Sequence, residues 1–533
     1  MRRGLVAAAC LCSACLLSLP LTAEDGNAGA DAHVTVAFAA EPTQIDPTRT
    51  SAGVDQYFMA LFYEQLLTAG PDLRQRNWLA ESWRLFERDG VWLIGVELRR
   101  GVRFHNGDEL TAHDLRCSYL RQRDPGLSRQ AGRWRHVADV QVVGDYELEI
   151  VFKGPPDSAL LPLNLDLWAI PRRYYEEVGN EGVQAHPIGT GPWKFVSRSV
   201  REEIVVERFD DYWDPGLLPG IRRLTIKIIP EDTTRVAAFK TGAVDWIDAV
   251  PPAQVADFER TPGVKVASLP TSNNLFLALN ALDPRSPLGD VRVRQAVAHA
   301  IDFDAIIQYI LHGQGIRTVQ VTPGAPGHDP ALRPYAFDPD RSRELLRQAG
   351  YGRGINVNCY NLTTPREPYL KEVGEAMFAY LTAAGIRCRI VQLEYGAWIN
   401  LGRRDARPEM DGIANWMWGH GALGDPTDPW GGHLHSYRDG WGWYSYHDDP
   451  ELDEMVETLR VTVDPEAKEA LIREIARLKH ERVAGGVPTY RPLVTLAWRD
   501  TLRFVPWPQA NWRMMRDIAL AARGSDGAES PGP

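Results

Sequence analysis

The fold is decided by a stretch that reads Ile355-Asn-Val-Asn-Cys-Tyr360, then an amphipathic run from Pro368 to Ala384, then Ile386-Arg-Cys-Arg-Ile-Val-Gln-Leu393. The outer runs are short and bear apolar residues at strand spacing, whereas the middle run has helical periodicity and is ended by Gly385. Strand, helix and strand in this order predict a βαβ unit with parallel pairing.

A second unit of the same kind lies earlier in the chain. Ile221 to Pro230 contains an alternating strand, Glu231 to Lys240 is helical, and Gly242 ends that helix before a short strand at Val244 to Ile247. Two such units predict an α/β protein rather than an all-α or all-β one.

Between Val91 and Val151 the strands are predicted to pair antiparallel. Val91 to Leu98, residues 140–143 and Leu148 to Phe152 read as strands, and Gly144-Asp145 reads as a hairpin turn. This part of the chain is therefore predicted to form an antiparallel sheet.

Two helix starts have a clear chemical signature. Asp338-Pro339 and Asp464-Pro465 each place an N-capping carboxylate before a proline suited to the first helical turn. After the second start, an apolar stripe is interpreted as core packing rather than a ligand site. Its members are Leu471, Ile472, Ile475 and Leu478.

Length and charge limit the possible functions. A chain of 533 residues is too long for one core, so at least two domains are expected. The formal net charge is −11 and no basic stripe is present, which argues against nucleic acid as a partner.

The N-terminus has the three-part pattern of a secretory signal peptide. Arg2 and Arg3 precede an apolar run from Leu5 to Leu21, and cleavage is expected near Ala23. A lipid anchor on Cys15 and an uncleaved membrane anchor are alternatives that fit the pattern less well. The mature protein is therefore expected to be periplasmic, with no later apolar run long enough to span a membrane.

Three cysteines follow the signal, namely Cys117, Cys359 and Cys388. An odd number leaves at least one unpaired within the chain. Cys359 and Cys388 lie on strands that flank one helix, and both are expected to be small buried core residues with free thiols, since cross-strand geometry often prevents a disulfide.

Short blocks in a fixed order run through nearly the whole mature chain. They are Ile45-Asp46-Pro47, Phe62–Leu66, Leu79–Trp83, Leu98–Gly107, Leu110-Thr111-Ala112-His113-Asp114, Ile188–Phe195, Asp211-Tyr212-Trp213 and Val291–Ala296. This order resembles the family 5 extracellular solute-binding proteins, which include oligopeptide-, dipeptide- and nickel-binding members.

The resemblance implies an α/β class II periplasmic-binding-protein fold, with two lobes joined by two crossing hinge segments. By analogy the crossings fall near Pro270 to Leu279 and near Val487 to Leu493. The expected divisions are a signal peptide at 1–23, a discontinuous lobe I at 33–60, 187–272 and 490–520, an extra subdomain of lobe I at 61–186, lobe II at 273–489, and a disordered tail at 524–533.

The same resemblance implies a substrate-binding component of an ABC importer, which captures a small polar ligand, foremost a peptide. Its partners would be that ligand and the permease subunits in the inner membrane, and the protein itself would be a monomer without a cofactor. A metal chelate, opine or sugar ligand, or a periplasmic sensor as partner, stays open. A secreted hydrolase is a more distant alternative, because the sequence contains no catalytic motif.

Tryptophans are concentrated between Ile413 and Tyr446. Their broad, rigid rings suit a cleft that buries varied ligands, although most are expected to fill a core. Trp416 and Trp418 are the ones predicted to contact ligand.

Two aspartates in the same region are the other predicted ligand contacts. Peptide-binding relatives hold the ligand's α-ammonium with an aspartate in a segment resembling Trp-x-x-Asp-x-x-acid-Pro. Asp425-Pro-Thr-Asp428-Pro reproduces the second half, but position 422 is alanine and Trp418 lies seven residues before Asp425. Asp425 is favoured over Asp428, and a capped turn before proline is the alternative role.

Two histidines could supply metal ligands. His433 and His435 would share a face on a strand, and Asp425 or Asp428 could complete a Ni²⁺ or Zn²⁺ site. Solvated histidines in a polar loop are commoner, so no metal site is predicted.

Overall fold

A computed structural model describes residues 32–50, 53–69, 75–128, 131–155, 167–271, 273–283, 285–319, 321, 325–363, 369–394, 397–398, 401, 410–419, 426–436, 445–506 and 518–520. The expected signal peptide and C-terminal tail lie outside these residues. Among the helices of the described residues, none is long and apolar enough to cross a membrane.

The strands belong to two large sheets, one smaller antiparallel sheet and two short hairpin-like pairs. In chain order they are β1 (His33–Phe38), β2 (Leu67–Ala69), β3 (Gln75–Asn77), β4 (Ala80–Arg88), β5 (Val91–Leu98), β6 (Val137–Gly144), β7 (Glu147–Phe152), β8 (Trp193–Ser199), β9 (Glu203–Arg208), β10 (Arg223–Ile228), β11 (Trp246–Ile247), β12 (Val264–Pro270), β13 (Asn273–Leu279), β14 (Gly315–Arg317), β15 (Ile355–Leu362), β16 (Ile386–Leu393), β17 (Ile413–Gly419), β18 (Val487–Pro488), β19 (Tyr490–Arg499), β20 (Leu502–Arg503) and β21 (Ala519–Leu520).

The helices cover the faces of these sheets. They are α1 (Gly53–Phe62), α2 (Ala112–Gln122), α3 (Arg172–Ala185), α4 (Asp232–Lys240), α5 (Val255–Glu259), α6 (Val291–His299), α7 (Phe303–Tyr309), α8 (Pro339–Gln348), α9 (Leu370–Ala383), α10 (Thr427–His433), α11 (Pro450–Val461) and α12 (Pro465–Arg482).

The first large sheet has the order β12-β19-β11-β1-β10-β9-β8, with β14 paired to β19. Strands β10 and β11, which flank α4, each pair in parallel with β1. The predicted βαβ unit is therefore present, but its two strands lie on either side of β1 instead of pairing with each other. Sequence periodicity cannot reveal this order of strands, because β1 lies far from β10 and β11 in the sequence.

The second large sheet has the order β16-β15-β17-β13-β18. Strands β15 and β16 pair in parallel along their full lengths, with Ile355 opposite Ile386 and Leu362 opposite Leu393. Helix α9 connects them and buries Val373, Met377 and Phe378 in the core of this sheet. The βαβ unit predicted for residues 355–393 is confirmed.

The expectation that Cys359 and Cys388 carry free thiols is wrong. The structure joins them in a disulfide, with their Cα atoms 5.4 Å apart. Cys388 pairs with Val357, two residues before Cys359, so both cysteines lie on the same face of adjacent strands. That diagonal register brings the Cα atoms to a distance that a disulfide accepts. Cys117 is the free cysteine of the described residues.

A smaller sheet of order β4-β5-β7-β6 is antiparallel throughout, as predicted for residues 91–151. It has a core of its own, to which β5 contributes Ile94 and α2 contributes Leu115. A buried ion pair connects this unit to the loop after β1, because Arg121 on α2 donates to Asp46 over 2.6 Å. The guanidinium also lies over the ring of Tyr175.

Both predicted helix caps are confirmed. The Asp338 carboxylate accepts from the backbone N–H of Arg341 at the start of α8, and the Asp464 carboxylate accepts from that of Ala467 at the start of α12. The stripe on α12 is core, as predicted, with Ile472 and the residues around it buried against α11.

Two chain segments pass between the large sheets. Strand β12 ends in the first sheet at Pro270 and β13 begins in the second at Asn273. On the return, β18 ends in the second sheet at Pro488 and β19 begins in the first at Tyr490. Both crossings lie inside the ranges expected from the resemblance, whereas the residue bounds given to the lobes and to the extra subdomain stay predictions.

Candidate ligand-binding site

The two crossings run antiparallel and are hydrogen-bonded to each other. The Thr271 N–H donates to the Pro492 oxygen over 3.0 Å, and the Thr489 N–H donates to the Leu275 oxygen over 3.1 Å. The Thr489 hydroxyl donates to the same Leu275 oxygen over 2.7 Å. We call this element the crossing ribbon, made of residues 270–271 and 273–276 on one side and 487–493 on the other. It joins the two large sheets.

The crossing ribbon contains three polar side chains that are more than nine-tenths buried, those of Asn274, Thr489 and Arg491. Arg491 is 4% exposed and donates to the Thr271 oxygen. Burial lowers the pKa of its guanidinium to about 10, so it remains charged at neutral pH. Asn274 is 8% exposed, and its side-chain oxygen accepts no hydrogen bond from the described residues.

Strand β13 continues from this ribbon into the second large sheet, where β17 is its neighbour. These strands pair antiparallel, with Asn274 opposite Trp418 and Phe276 opposite Trp416. The Asn274–Trp418 pair is the one nearer the crossing, because β13 begins there. The side chain of Trp418 lies outside the described part of the structure.

Trp416 is buried in the core of the second lobe. It is 3% exposed and stacks on Trp398, with ring centroids 3.9 Å apart and planes at 19°. The Trp398 indole N–H donates to the Asn415 oxygen, which fixes the stack against β17. In this conformation Trp416 packs as a core residue, and ligand contact by Trp416 stays a prediction. Trp430 is also fully buried, in line with the expectation that most of these rings fill a core.

The predicted amine-binding segment leads into helix α10. Pro426 is the N-cap of that helix and Asp428 is its second residue. Asp425 directly precedes the N-cap and lies outside the described residues, as does the Asp428 side chain. The roles assigned to both aspartates therefore stay predictions.

The two histidines are not on a strand, although the possible metal site required them to share one face of a strand. His433 is the last residue of α10, and His435 follows the helix. Both ring nitrogens of His435 are engaged, Nε2 with Glu457 at 2.9 Å and Nδ1 with the Ser436 oxygen at 2.7 Å. Within the described residues no group of three potential ligands could hold a metal ion.

Comparison with known proteins identifies the family. The family model of the bacterial extracellular solute-binding proteins, family 5 middle, matches residues 74–441, more than half of the chain. The chain belongs to family 5 of the bacterial extracellular solute-binding proteins. Among curated relatives, glutathione-binding protein GsiB of Escherichia coli O157:H7 is 25% identical over 397 residues, which cover 74% of each chain.

Solved structures show that this solute-binding protein has the expected class II fold. HbpA2 from Haemophilus parasuis matches with a TM-score of 0.80 and 22% identity, covering 92% of this chain and 100% of that one. DppA from Helicobacter pylori, in complex with the peptide STSA, matches with a TM-score of 0.74 and 22% identity, covering 92% and 98%. GsiB and DppA are both named as binding proteins.

Sequence reasoning missed the polar side chains in the crossing ribbon of this solute-binding protein. A usable signal was present at Arg491, which interrupts the otherwise uncharged run from Val487 to Leu496. An ionisable residue within a strand of that composition is rarely buried without a reason. Asn274 gave no comparable signal, since it lies in a polar pair at the start of a strand.

A surface groove of this solute-binding protein lies away from the crossing ribbon, on the small antiparallel sheet. Its volume is about 380 Å³, and Trp83, Phe86, Val143 and Glu147 are among the residues that line it. All of its lining residues belong to β4, β5, β6 and β7, so the groove is a feature of the extra subdomain alone.

Proposed function

We propose that this protein is the substrate-binding component of an ABC importer and captures a peptide in the cleft between its lobes. The observation that carries the proposal is the crossing ribbon, which joins two α/β lobes and whose Phe276 ring packs against that of His433 on α10. Glutathione, named for one relative, and STSA, bound to another, are both peptides.

The physical basis of capture is a shift between open and closed arrangements of the lobes. A ligand that contacts both lobes binds more tightly when they are closed, and it therefore raises the population of the closed state. The closed protein then delivers its ligand to the permease subunits in the inner membrane. We expect the capturing unit to be a monomer.

The amine of the peptide would be held by Asp425, with Asp428 as the second candidate. An ammonium group that loses its water on closure needs a charged acceptor, and such a hydrogen bond contributes about 1.5–3 kcal/mol. Trp418, and Trp416 if the lobe rearranges on binding, would cover the apolar parts of the ligand.

A melting-temperature screen of the purified protein tests the function. At about a hundred times its Kd, a true ligand stabilises the fold by roughly 2.7 kcal/mol. We expect a clear shift with glutathione or with tri- and tetrapeptides and none with sugars. Flat curves for every peptide, together with a shift for another ligand class, would reassign the ligand and leave the solute-binding role standing.

Export is part of the proposed function. The pattern at Arg2, Arg3 and the following apolar run supports cleavage near Ala23 and a periplasmic protein. Mass spectrometry of the protein purified from the periplasm is expected to show an N-terminus at or near Glu24. An intact N-terminus, or a lipid-modified Cys15, contradicts this.

A further inference from the structure

Arg491 differs from the other buried arginines of the described chain in having no acidic partner. Arg121, 3% exposed, donates to the Asp46 carboxylate over 2.6 Å and to Asn180 over 2.9 Å. Arg235, 1% exposed, donates to the Asp232 carboxylate over 2.6 Å and to backbone oxygens around it. In both cases the buried positive charge is compensated.

The guanidinium of Arg491 has one acceptor among the described residues, the backbone oxygen of Thr271. Its Nε–H is buried without an acceptor. Burial alone lowers the pKa of this group, and no charged neighbour raises or lowers it further. An uncompensated buried charge destabilises a protein, and natural sequences retain such groups mainly where function requires them.

The position of Arg491 indicates what could compensate the charge. It lies on one strand of the crossing ribbon and donates to Thr271 on the other, where the chain passes between the two large sheets. The ligand of a two-lobed binding protein binds between the lobes that such crossings join. An anionic group on that ligand would restore the charge balance when the lobes close.

We propose that Arg491 binds a carboxylate of the captured ligand at the crossing ribbon. The inference rests on the proposed function, and it adds that the ligand carries a carboxylate that faces the crossing ribbon. Together with Asp425, the proposed contact of the amine, Arg491 would hold a zwitterionic peptide by both ends. Guanidinium suits this role because it keeps its charge when buried and matches the geometry of carboxylate.

The competing explanation is a purely structural role, in which Arg491 only connects the two crossings through its hydrogen bond to Thr271. The two roles differ in their dependence on ligand charge. An arginine with a structural role affects the affinity for every ligand alike. An arginine that binds the carboxylate affects the affinity only for ligands that carry this group.

The experiment compares wild type, Arg491→Met and the control Arg499→Met by calorimetric titration with tri-alanine and tri-alanine amide. Arg499 lies at the other end of β19, and its guanidinium likewise donates to a backbone oxygen, that of Phe239. We expect Arg491→Met to weaken binding of the acid by at least about tenfold, to leave the amide within about threefold, and the control to change neither. Equal losses for acid and amide, or no loss for the acid, overturn the proposal.

A second measurement keeps the test independent of peptide binding. The melting temperatures of ligand-free wild type and Arg491→Met are compared in acetate and in chloride at equal ionic strength. We expect acetate to raise the melting temperature of wild type alone, and Arg491→Met in chloride to melt no lower than wild type. An acetate effect that is the same in both proteins, or a variant that melts clearly lower, overturns the proposal. If neither tripeptide binds wild type while acetate acts through Arg491, the peptide assignment fails and the anion site stands.

Discussion

At the scale of single residues, Asp425 and Arg491 would have opposite tasks at the two ends of a ligand. The aspartate precedes the N-cap of α10, and the arginine lies in the crossing ribbon. Neither role could be read from a motif alone, because the tryptophan that normally accompanies the aspartate is displaced in this sequence.

The role of Asp425 is tested by Asp425→Asn. We expect at least about tenfold weaker peptide binding, because the amide lacks the charge that an ammonium group requires. The melting temperature of the ligand-free variant should stay close to that of wild type. Asp428→Asn tests the second candidate, and a loss of affinity confined to that variant would transfer the amine-binding role to Asp428. Unchanged affinity in Asp425→Asn, or a large loss of ligand-free stability, would show that Asp425 is a turn residue.

His447 makes the fold sensitive to acid. It is 7% exposed, and burial lowers the pKa of its imidazole from 6.5 to about 4, against the opposing effect of Asp449 and Asp453. Below pH 6.5 the unfolded chain binds a proton at this residue that the folded chain rejects until about pH 4. Stability is therefore lost as the pH falls through this window, by roughly 2 kcal/mol from His447 at pH 5.

Urea unfolding between pH 7.5 and pH 4.5 measures this loss. In His447→Gln the free energy of unfolding should decline less steeply than in wild type over the same range. Parallel declines for the two proteins would mean that other groups cause the acid sensitivity.

At the scale of elements, the disulfide joins two strands that one helix already connects. Cys359 and Cys388 are 29 residues apart in sequence, and closing a loop of that length is worth about 3–4 kcal/mol in the chain-entropy model. We expect reducing agent, or the pair Cys359→Ala and Cys388→Ala, to lower the free energy of unfolding by an amount of this order.

A thiol count gives a direct check on the same bond. Protein lacking residues 1–23 should show one free thiol in denaturant without reductant, that of Cys117. Cys117→Ala, the control, should leave none and keep the response to reducing agent. Three thiols in the unreduced protein would show that Cys359 and Cys388 are free, as the sequence suggested.

Local patterns allowed some elements to be predicted and left others beyond reach. The strand–helix–strand unit at 355–393 and the caps at Asp338 and Asp464 depend on contacts a few residues apart, which periodicity reports. The insertion of β1 between β10 and β11 depends on pairing between distant segments. The disulfide likewise depends on the register of two strands, which composition does not determine.

The candidate site was predictable only where family motifs mark it. The approximate Asp-x-x-acid-Pro match is the basis for predicting Asp425 and Asp428, and the tryptophan content is the basis for predicting Trp416 and Trp418. The burial of Trp416 against Trp398 is a tertiary contact that no local pattern reveals. The charge of Arg491 was visible in the sequence, whereas its lack of a counter-charge became evident only in the folded chain.

At the scale of the whole molecule, the two lobes should approach each other when ligand binds. We expect the radius of gyration from small-angle X-ray scattering to decrease at saturating ligand, because the ligand contacts both lobes only when they are closed. Asp425→Asn at the same ligand concentration should keep the open value. An unchanged radius for wild type with ligand bound would mean that capture occurs without closure.

The hydrogen bonds between Thr271 and Pro492 and between Thr489 and Leu275 affect the entropy of binding. If the two crossings were not hydrogen-bonded to each other, the lobes could adopt many relative orientations, and this conformational entropy would be lost when ligand is captured. Because the crossings are paired in the crossing ribbon, the ligand-free protein samples fewer orientations, so less entropy is lost when it closes. Affinity in this protein should therefore depend more on the contacts that a ligand makes than on the cost of ordering the two lobes around it.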